Sequence, residues 1–294
     1  MSDFVPGADR RKKKRTAQII IAAIVVVLIV AAFFVVRSLS GNIKTAEGAG
    51  SNATADSSLA NNAAGKQLNG TITFGTEGTY SPFSYHDEST GELKGYDIDV
   101  AKAVAAKLGL TAKFVETQYD GIFAGLESKR YDGIANQVQI TPERQQKYEL
   151  SDVYSVSYPV VITRADDTSI KSIADIAGHT AAQTEGSNWR QIAEENNAKV
   201  ETVPGFSESV TAIEQKRVDL TVNDKLAAID YLNTTNNKNV KIAATDTNAK
   251  LEQGFAFRKD SGLAEPVNKA IEQLRADGTL AKIGETYFGE DVSK

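Results

Sequence analysis

Cysteine is missing from all 294 residues. Its absence excludes thiolate metal sites, cysteine nucleophiles, disulfides and a lipid-modified cysteine anchor. It leaves the redox compartment open, because exported proteins can also dispense with cysteine. Histidine is nearly as scarce, with His86 and His179 the only two. A histidine metal cluster or a histidine-based triad is therefore poorly supplied, and neither a metal nor a cofactor is expected. The sequence holds no glycine-rich phosphate loop, so this chain is not expected to hydrolyse ATP itself. A net positive balance is confined to one end. Residues 1–15 carry six basic and two acidic side chains, which leaves 27 basic against 36 acidic, net −9, in the remainder. Such a body is a poor non-specific binder of nucleic acid.

What is present begins with Ala17–Val36, 20 residues without a charge. At about 1.5 Å of rise per residue a helix of this length crosses a hydrocarbon core of roughly 30 Å. The basic run Arg10–Arg15 precedes it, which keeps the N-terminus cytoplasmic and the body outside. A cleaved signal peptide is the rival reading, although its apolar region is usually shorter and followed by a small-residue cleavage site. Here the run ends in Phe33, Phe34, Val35 and Val36 and meets Arg37, which favours an uncleaved anchor. Residues 37–66 are rich in Ala, Gly, Ser, Asn and Thr. They cannot bury a core and read as a flexible tether.

From Leu68 onward, short β-rich runs alternate with helical stretches, an α/β pattern. Residues 97–108 place Ile98, Ala101, Val104, Ala105 and Leu108 on one helical stripe, with Gly109 as the stop. The organisation then repeats. Tyr119–Gln137 aligns without gaps on Phe206–Asp224, so that Glu127, Lys129, Arg130, Asp132 and Asn136 fall on Glu214, Lys216, Arg217, Asp219 and Asn223. Each copy reads as helix, charged turn, and strand ending in a polar pair. Two lobes of similar construction are expected to face each other. In open α/β sheets ligands bind beyond the carboxyl ends of strands, and Asn136-Gln137 and Asn223-Asp224 occupy such ends.

Thr141 is a good helix N-cap and Pro142 suits the first helical position. The third position favours Glu or Gln, yet it holds Arg144. A cation there opposes the helix dipole. Either it forms a carboxylate site together with the helix N–H groups, or it is a surface arginine paired with a nearby acid. Asp224 can cap the helix that follows it, or meet a ligand ammonium. Glu185-Gly186-Ser187 precedes another helix, which Ser187 can cap. Tyr80 and Tyr119 read as pocket aromatics or satellite core, and Phe83 after Pro82 as core.

These residues resemble the polar amino-acid-binding proteins of ABC importers, solute-binding protein family 3, of the type II periplasmic-binding-protein fold. The resemblance is carried by SPFSY at Ser81–Tyr85, GYDIDVAKAVAAKLG at Gly95–Gly109, ITPERQQKY at Ile140–Tyr148, the second copy of the repeat, and LRADGTLAKIGETYFG at Leu274–Gly289. It implies two three-layer α/β lobes joined by a two-stranded hinge, with crossings near Ser155–Pro159 and Lys250–Gly254. Lobe one would be residues 67–157 plus 252–294, and lobe two 158–251. It implies that Arg144 grips the ligand α-carboxylate and Asp224 its α-ammonium. Glu77, Tyr80 and Tyr119 would come from the first lobe, and Thr184, Glu185, Gly186 and Ser187 from the loop of the second. Asn136, Gln137 and Gln139 stand where the family usually has small residues. With QTEGSNW at Gln183–Trp189 this resembles the cystine-binding branch, with glutamine or another polar amino acid as the alternative. The implied partners are a free amino acid, a membrane permease and its separate ATPase, with the body a monomer and no nucleic acid.

Two other classes are weighed. A dehydratase-like enzyme on the same fold needs a cleft acid with a partner base. Glu77 and Glu185 are the available acids, and neither has a convincing base. A sensor input domain needs a signalling module, for which the 16 residues before the apolar run leave no room.

Overall fold

The computed structural model describes residues 70–259 and 261–294. The expected basic N-terminus (1–16), anchor (17–36) and linker (37–66) lie outside the described residues. Among those described, no helix is long and apolar enough to cross a membrane.

Strand β1 (Thr71–Thr76) alternates intermediate and buried positions before running fully buried into the loop at its carboxyl end. It pairs in parallel with β5 (Thr111–Glu116) on one side and β6 (Gly133–Gln139) on the other. A small antiparallel sheet of β2 (Thr79–Tyr80), β3 (Ser84–His86) and β4 (Leu93–Lys94) follows β1 in the chain. Helix α1 (Tyr96–Lys107) then returns to β5, and α2 (Tyr119–Glu127) leads to β6. The stripe expected on α1 is buried at Ile98, Ala101, Val104 and Ala105. Gly109 follows with φ +69°, the left-handed geometry that ends helices.

After the short α3 (Pro142–Lys147), β7 (Tyr148–Leu150) and β8 (Ser155–Ser157), the chain enters a second sheet at β9 (Pro159–Arg164). The other strands of that sheet are β10 (Thr180–Thr184), β11 (Lys199–Val203), β12 (Leu220–Asp224) and β13 (Val240–Thr245), in the order β11-β10-β12-β9-β13. Its helices are α4 (Asn188–Glu195), α5 (Phe206–Glu214) and α6 (Lys225–Thr235). The chain returns through β14 (Leu251–Arg258) and closes with α7 (Ala264–Ala276) and α8 (Thr279–Phe288). Insertion of β14 gives the first sheet the matching order β5-β1-β6-β14-β7. The two sheets are joined where β8 pairs with β14, Ser157 opposite Leu251 and Gln253 opposite Ser155. The result is a two-lobed α/β molecule.

Side-chain alternation makes each lobe three layers deep. In β14, Phe255 and Phe257 belong to the core shared with Val100, Val104 and Val267, whereas Ala256 between them packs with Ile122, Leu126 and Ile134. In the second lobe, Val160 and Ile162 face Val210 and Ile213, while Val161 faces Ile176 and Ala193.

The sequence repeat has a structural cause. Both copies end their helix alike: Arg130 N donates to Gly125 O at 3.0 Å, and Arg217 N to Ala212 O at 2.9 Å. The turn residues Lys129 and Lys216 lie at φ 62° and 58°. Asp132 accepts from Thr73 N, and Asp219 from Thr180 N, both at 2.9 Å, tying the incoming strand to the parallel strand beside it. The matching charged residues thus build the turn, and only the polar pair after it is left for other work. A left-handed lysine carries roughly 1–2 kcal/mol of backbone cost that glycine avoids, against about 0.5–1 kcal/mol of extra unfolded-state entropy. Lys129→Gly and Lys216→Gly are each expected to raise stability by about 0.5–1 kcal/mol. Urea unfolding checks this, and a lowered midpoint would refute the reading of these turns.

Candidate ligand-binding cleft

The carboxyl ends of the parallel strands and the N-termini of three helices converge between the lobes. They line a small cavity between the lobes. From the first lobe come Glu77, Tyr80, Tyr119, Asn136 and Gln137; from the second come Thr184, Ser187, Asn188, Trp189, Phe206 and Asn223. This is the position where open α/β sheets bind ligands.

The walls are cross-linked by buried hydrogen bonds. Asn136 Oδ1 accepts from Glu77 N (2.8 Å) and Thr76 Oγ1 (3.2 Å), and its Nδ2 donates to Glu77 Oε2 (2.6 Å). Tyr80 OH crosses the cleft and donates to Asn223 Oδ1 at 2.8 Å. Ser81 Oγ donates to Asp230 Oδ2 at 2.8 Å, also between lobes. The rings of Tyr80 and Phe206 meet edge-on at 6.5 Å. These contacts require the lobes to be closed on each other.

Arg144 is partly buried, and Thr141 Oγ1 caps its helix by accepting from Arg144 N at 3.2 Å. The guanidinium donates to Gln139 O (3.1 Å) and to Tyr119 OH (2.8 Å), and lies 5.4 Å from the Phe123 ring centre. No carboxylate among the described residues pairs with it. It stands behind the cavity wall, one hydroxyl removed. Asp224 is fully buried. Its Oδ1 accepts from Ser157 Oγ (2.8 Å) and Leu226 N (2.7 Å), capping α6, while Oδ2 has no hydrogen-bond partner. Burial pushes its carboxyl up to about 6. An orphaned buried carboxylate oxygen is costly unless something donates to it.

Burial likewise pushes the half-buried Glu77 up to about 7, against the stabilising bond from Asn136. Glu185 is placed otherwise. It is exposed and pairs with Arg190 at 2.7 Å, so its carboxylate faces away from the cavity. Gly186 and Gln139 also lie outside the cavity wall. Ser187 caps α4 by accepting from Arg190 N at 3.1 Å.

Asn188, Trp189 and Phe206 line the cavity beyond the expected site residues, and Asn223, expected at a ligand-facing strand end, lines it with them. Phe206 had a signal: the repeat puts it on Tyr119, and each ring opens the helix that precedes the polar pair. Asn223 had the same signal through Asn136. A second echo is Thr76-Glu77-Gly78 after β1 and Thr184-Glu185-Gly186 after β10, with Gly78 and Gly186 at φ 73° and 71°.

With this geometry in hand, likeness to known proteins becomes informative. Residues 72–290 match the family described as bacterial extracellular solute-binding proteins, family 3. The L-cystine-binding protein TcyA of Bacillus subtilis (strain 168) is 51% identical over 226 residues, covering 76% of this chain and 84% of that protein. The structure of the L-cystine solute receptor of Neisseria gonorrhoeae, unliganded and open, is 43% identical and covers 82% of this chain and 99% of its own, with a TM-score of 0.55. An ancestral arginine-binding protein bound to arginine is less identical, at 36%, yet superposes better, with a TM-score of 0.70 over 75% of this chain and 99% of its own. Better agreement with a liganded structure than with an open one of higher identity matches the closed cleft. On its sequence match, its lobe architecture and its interlobe cavity, the chain belongs to the bacterial extracellular solute-binding proteins, family 3.

Proposed function

We propose that this chain is the substrate-binding subunit of an ABC importer and captures a polar amino acid, L-cystine first among candidates, by closure of its lobes. The observation that carries this is an arginine on one lobe that pairs with no carboxylate among the described residues, together with an orphaned carboxylate oxygen on the other lobe. A zwitterion carries the complementary charges. Arg144 receives the α-carboxylate, exchanging its bond to Tyr119 for one to the ligand, and Asp224 receives the α-ammonium. Glu77, Tyr80, Tyr119, Asn136, Gln137, Thr184 and Ser187 shape the space around them. Gln139 supports Arg144 through its carbonyl, and Glu185 and Gly186 shape the turn before α4.

Residues 67–157 with 252–294 form one lobe of this reading and 158–251 the other. Ligand docks on one lobe and bridges to the second, so its differential affinity draws the lobes together. Water leaves the closing cleft, which strengthens both charged contacts. The apolar run 17–36 anchors the body on the outer face of the membrane through the 37–66 linker. A permease powered by its own ATPase then accepts the ligand from the monomeric body. L-cystine is favoured because the 51% relative and the 43% structure are named for it. Binding rather than conversion is favoured because Glu77 faces an amide, Asn136, rather than a base.

A thermal-shift screen of the purified body against the proteinogenic amino acids and L-cystine tests the reading. Bound ligand raises apparent stability by mass action, by about 2.7 kcal/mol at a hundredfold excess over Kd. L-cystine is expected to give the largest upward shift, and no shift with any amino acid would refute the proposal.

A further inference from the structure

Asn136 and Gln137 are consecutive residues of β6, yet both line the cavity. Neighbours on a regular strand point to opposite faces. The pairing with β14 explains the exception. Val138 faces Gly254 and Ile134 faces Ala256, so the single residue Phe255 spans Ala135, Asn136 and Gln137. This is a β-bulge, a device that re-aims side chains beside functional sites. Phe255 makes its own backbone bonds elsewhere: its N donates to Ser151 Oγ and its O accepts from Ser151 N, both at 2.8 Å. The corresponding strand of the second lobe has no such break, since β12 pairs with β9 residue for residue from Leu220 to Asp224.

Within the bulge Gln137 sits at φ 48°. A non-glycine residue in the left-handed region is strained unless its surroundings hold it there. What holds it is Asp97, fully buried in the first turn of α1. Asp97 Oδ2 accepts from Gln137 N and Oδ1 from Gln137 Nε2, each at 2.7 Å, and Tyr154 OH adds a third bond at 3.0 Å. Ser155 Oγ approaches Gln137 Oε1 at 3.4 Å from the hinge strand. One carboxylate thereby satisfies both the backbone N–H and the side-chain amide of Gln137, the residue that the bulge turns away from the ladder.

We propose that Asp97 is a positioning residue of the ligand site: it holds the β6 bulge, and with it the cavity-facing placement of Gln137 beside Asn136. Asp97 is not a cavity-wall residue and acts through Gln137. Its retention is costly to the fold, because burial pushes its carboxyl up to about 7. A raised folded-state value means that its contribution to stability is present at acid pH and lost as pH rises through about 7. A residue kept only for stability would not be a charge in this place.

The inference rests on the amino-acid-binding reading, and the test separates the two. L-cystine is titrated calorimetrically at pH 8 into the wild-type body, D97N, Q137G and the double variant, and each ligand-free unfolding midpoint is recorded. Absence of heat from the wild type overturns the functional reading and this inference with it. If the wild type binds, D97N is expected to lose roughly tenfold or more in affinity, the equivalent of one charge-assisted hydrogen bond, while its unfolding midpoint holds or rises. Glycine at 137 needs no help to sit in the left-handed region, so adding D97N to Q137G is expected to cost less than about twofold further, the signature of two residues acting as one unit. The proposal is overturned if D97N binds L-cystine within about twofold of wild type. It is equally overturned if the D97N penalty persists undiminished in the Q137G background, or if D97N lowers affinity and stability together or fails to refold. Joint loss of affinity and stability, or failure to refold, would assign Asp97 to the fold rather than to the site.

Discussion

Arg144→Ala is expected to weaken amino-acid binding by about 2–4 kcal/mol, roughly 30- to 1,000-fold, because a ligand carboxylate would then enter a closed cleft without its cation. Arg144 is suited to this role by what it lacks. Its donors are spent on a backbone carbonyl and a tyrosine hydroxyl, and no acid of the described chain neutralises it. Exchanging a neutral hydroxyl for a carboxylate strengthens the bond, since charge-assisted pairs are about twice as strong as neutral ones. The fold should tolerate the change, because Arg144 is partly exposed and its helix keeps the Thr141 cap. Calorimetry with L-cystine decides the matter. Near-wild-type affinity in the variant would remove Arg144 from the site. Arg144→Lys should recover only part of the loss, because an ammonium cannot reproduce the planar two-pronged geometry.

The second large effect belongs to Asp224→Asn. Asparagine caps helices as well as aspartate, so α6 should persist while the negative charge is lost. At pH 8 the expected cost in affinity is about 2–3 kcal/mol, the range for losing the charged partner of a buried hydrogen bond. The pH dependence is the sharper signature. A ligand ammonium needs Asp224 ionised, and burial holds that carboxyl near 6 in the ligand-free protein. Wild-type affinity should therefore be full above about pH 7 and fall as pH drops through 6, by up to tenfold per unit. Asp224→Asn should flatten the fall through 6. Ligand-free stability runs the other way. Because its folded value is raised, ionised Asp224 costs stability as pH climbs through 6, and the amide escapes the cost. A variant that keeps both the affinity and the acid fall-off of the wild type would exclude Asp224 as the ammonium partner.

Much of the frame behind these expectations was legible in the residues. The stripe of α1 and its glycine stop were written in local order. So was the repeat, because a left-handed lysine turn and an aspartate clasp need the same residues each time they are built. The interior of the site was less legible. Glu77 and Glu185 occupy the same Thr-Glu-Gly setting, yet one faces Asn136 in the cavity wall and the other meets Arg190 in solvent. The difference lies in what each loop leads into: β2 after Glu77, and α4 with Arg190 after Glu185. The bulge at Asn136-Gln137 depends on a partner strand that arrives far downstream, so no window around β6 announces it. Nothing around Asp97 sets it apart from other acids at helix starts, although its oxygens serve a strand of the adjoining layer. Phe206 was recoverable by carrying Tyr119 across the repeat.

The hinge has a consequence for how such a molecule can be rebuilt. Ser157 and Leu251 are direct partners across β8 and β14, so the second lobe leaves and re-enters the first at neighbouring points. It is a cassette, a continuous stretch whose two ends already touch. Exchange of that stretch between relatives would swap the half that carries Asp224 and the α4 loop while leaving the Arg144 half untouched. A chimaera needs only two junctions, both on one small β-ladder. Specificity in such a scaffold can change by recombination of half-sites as well as by point substitution.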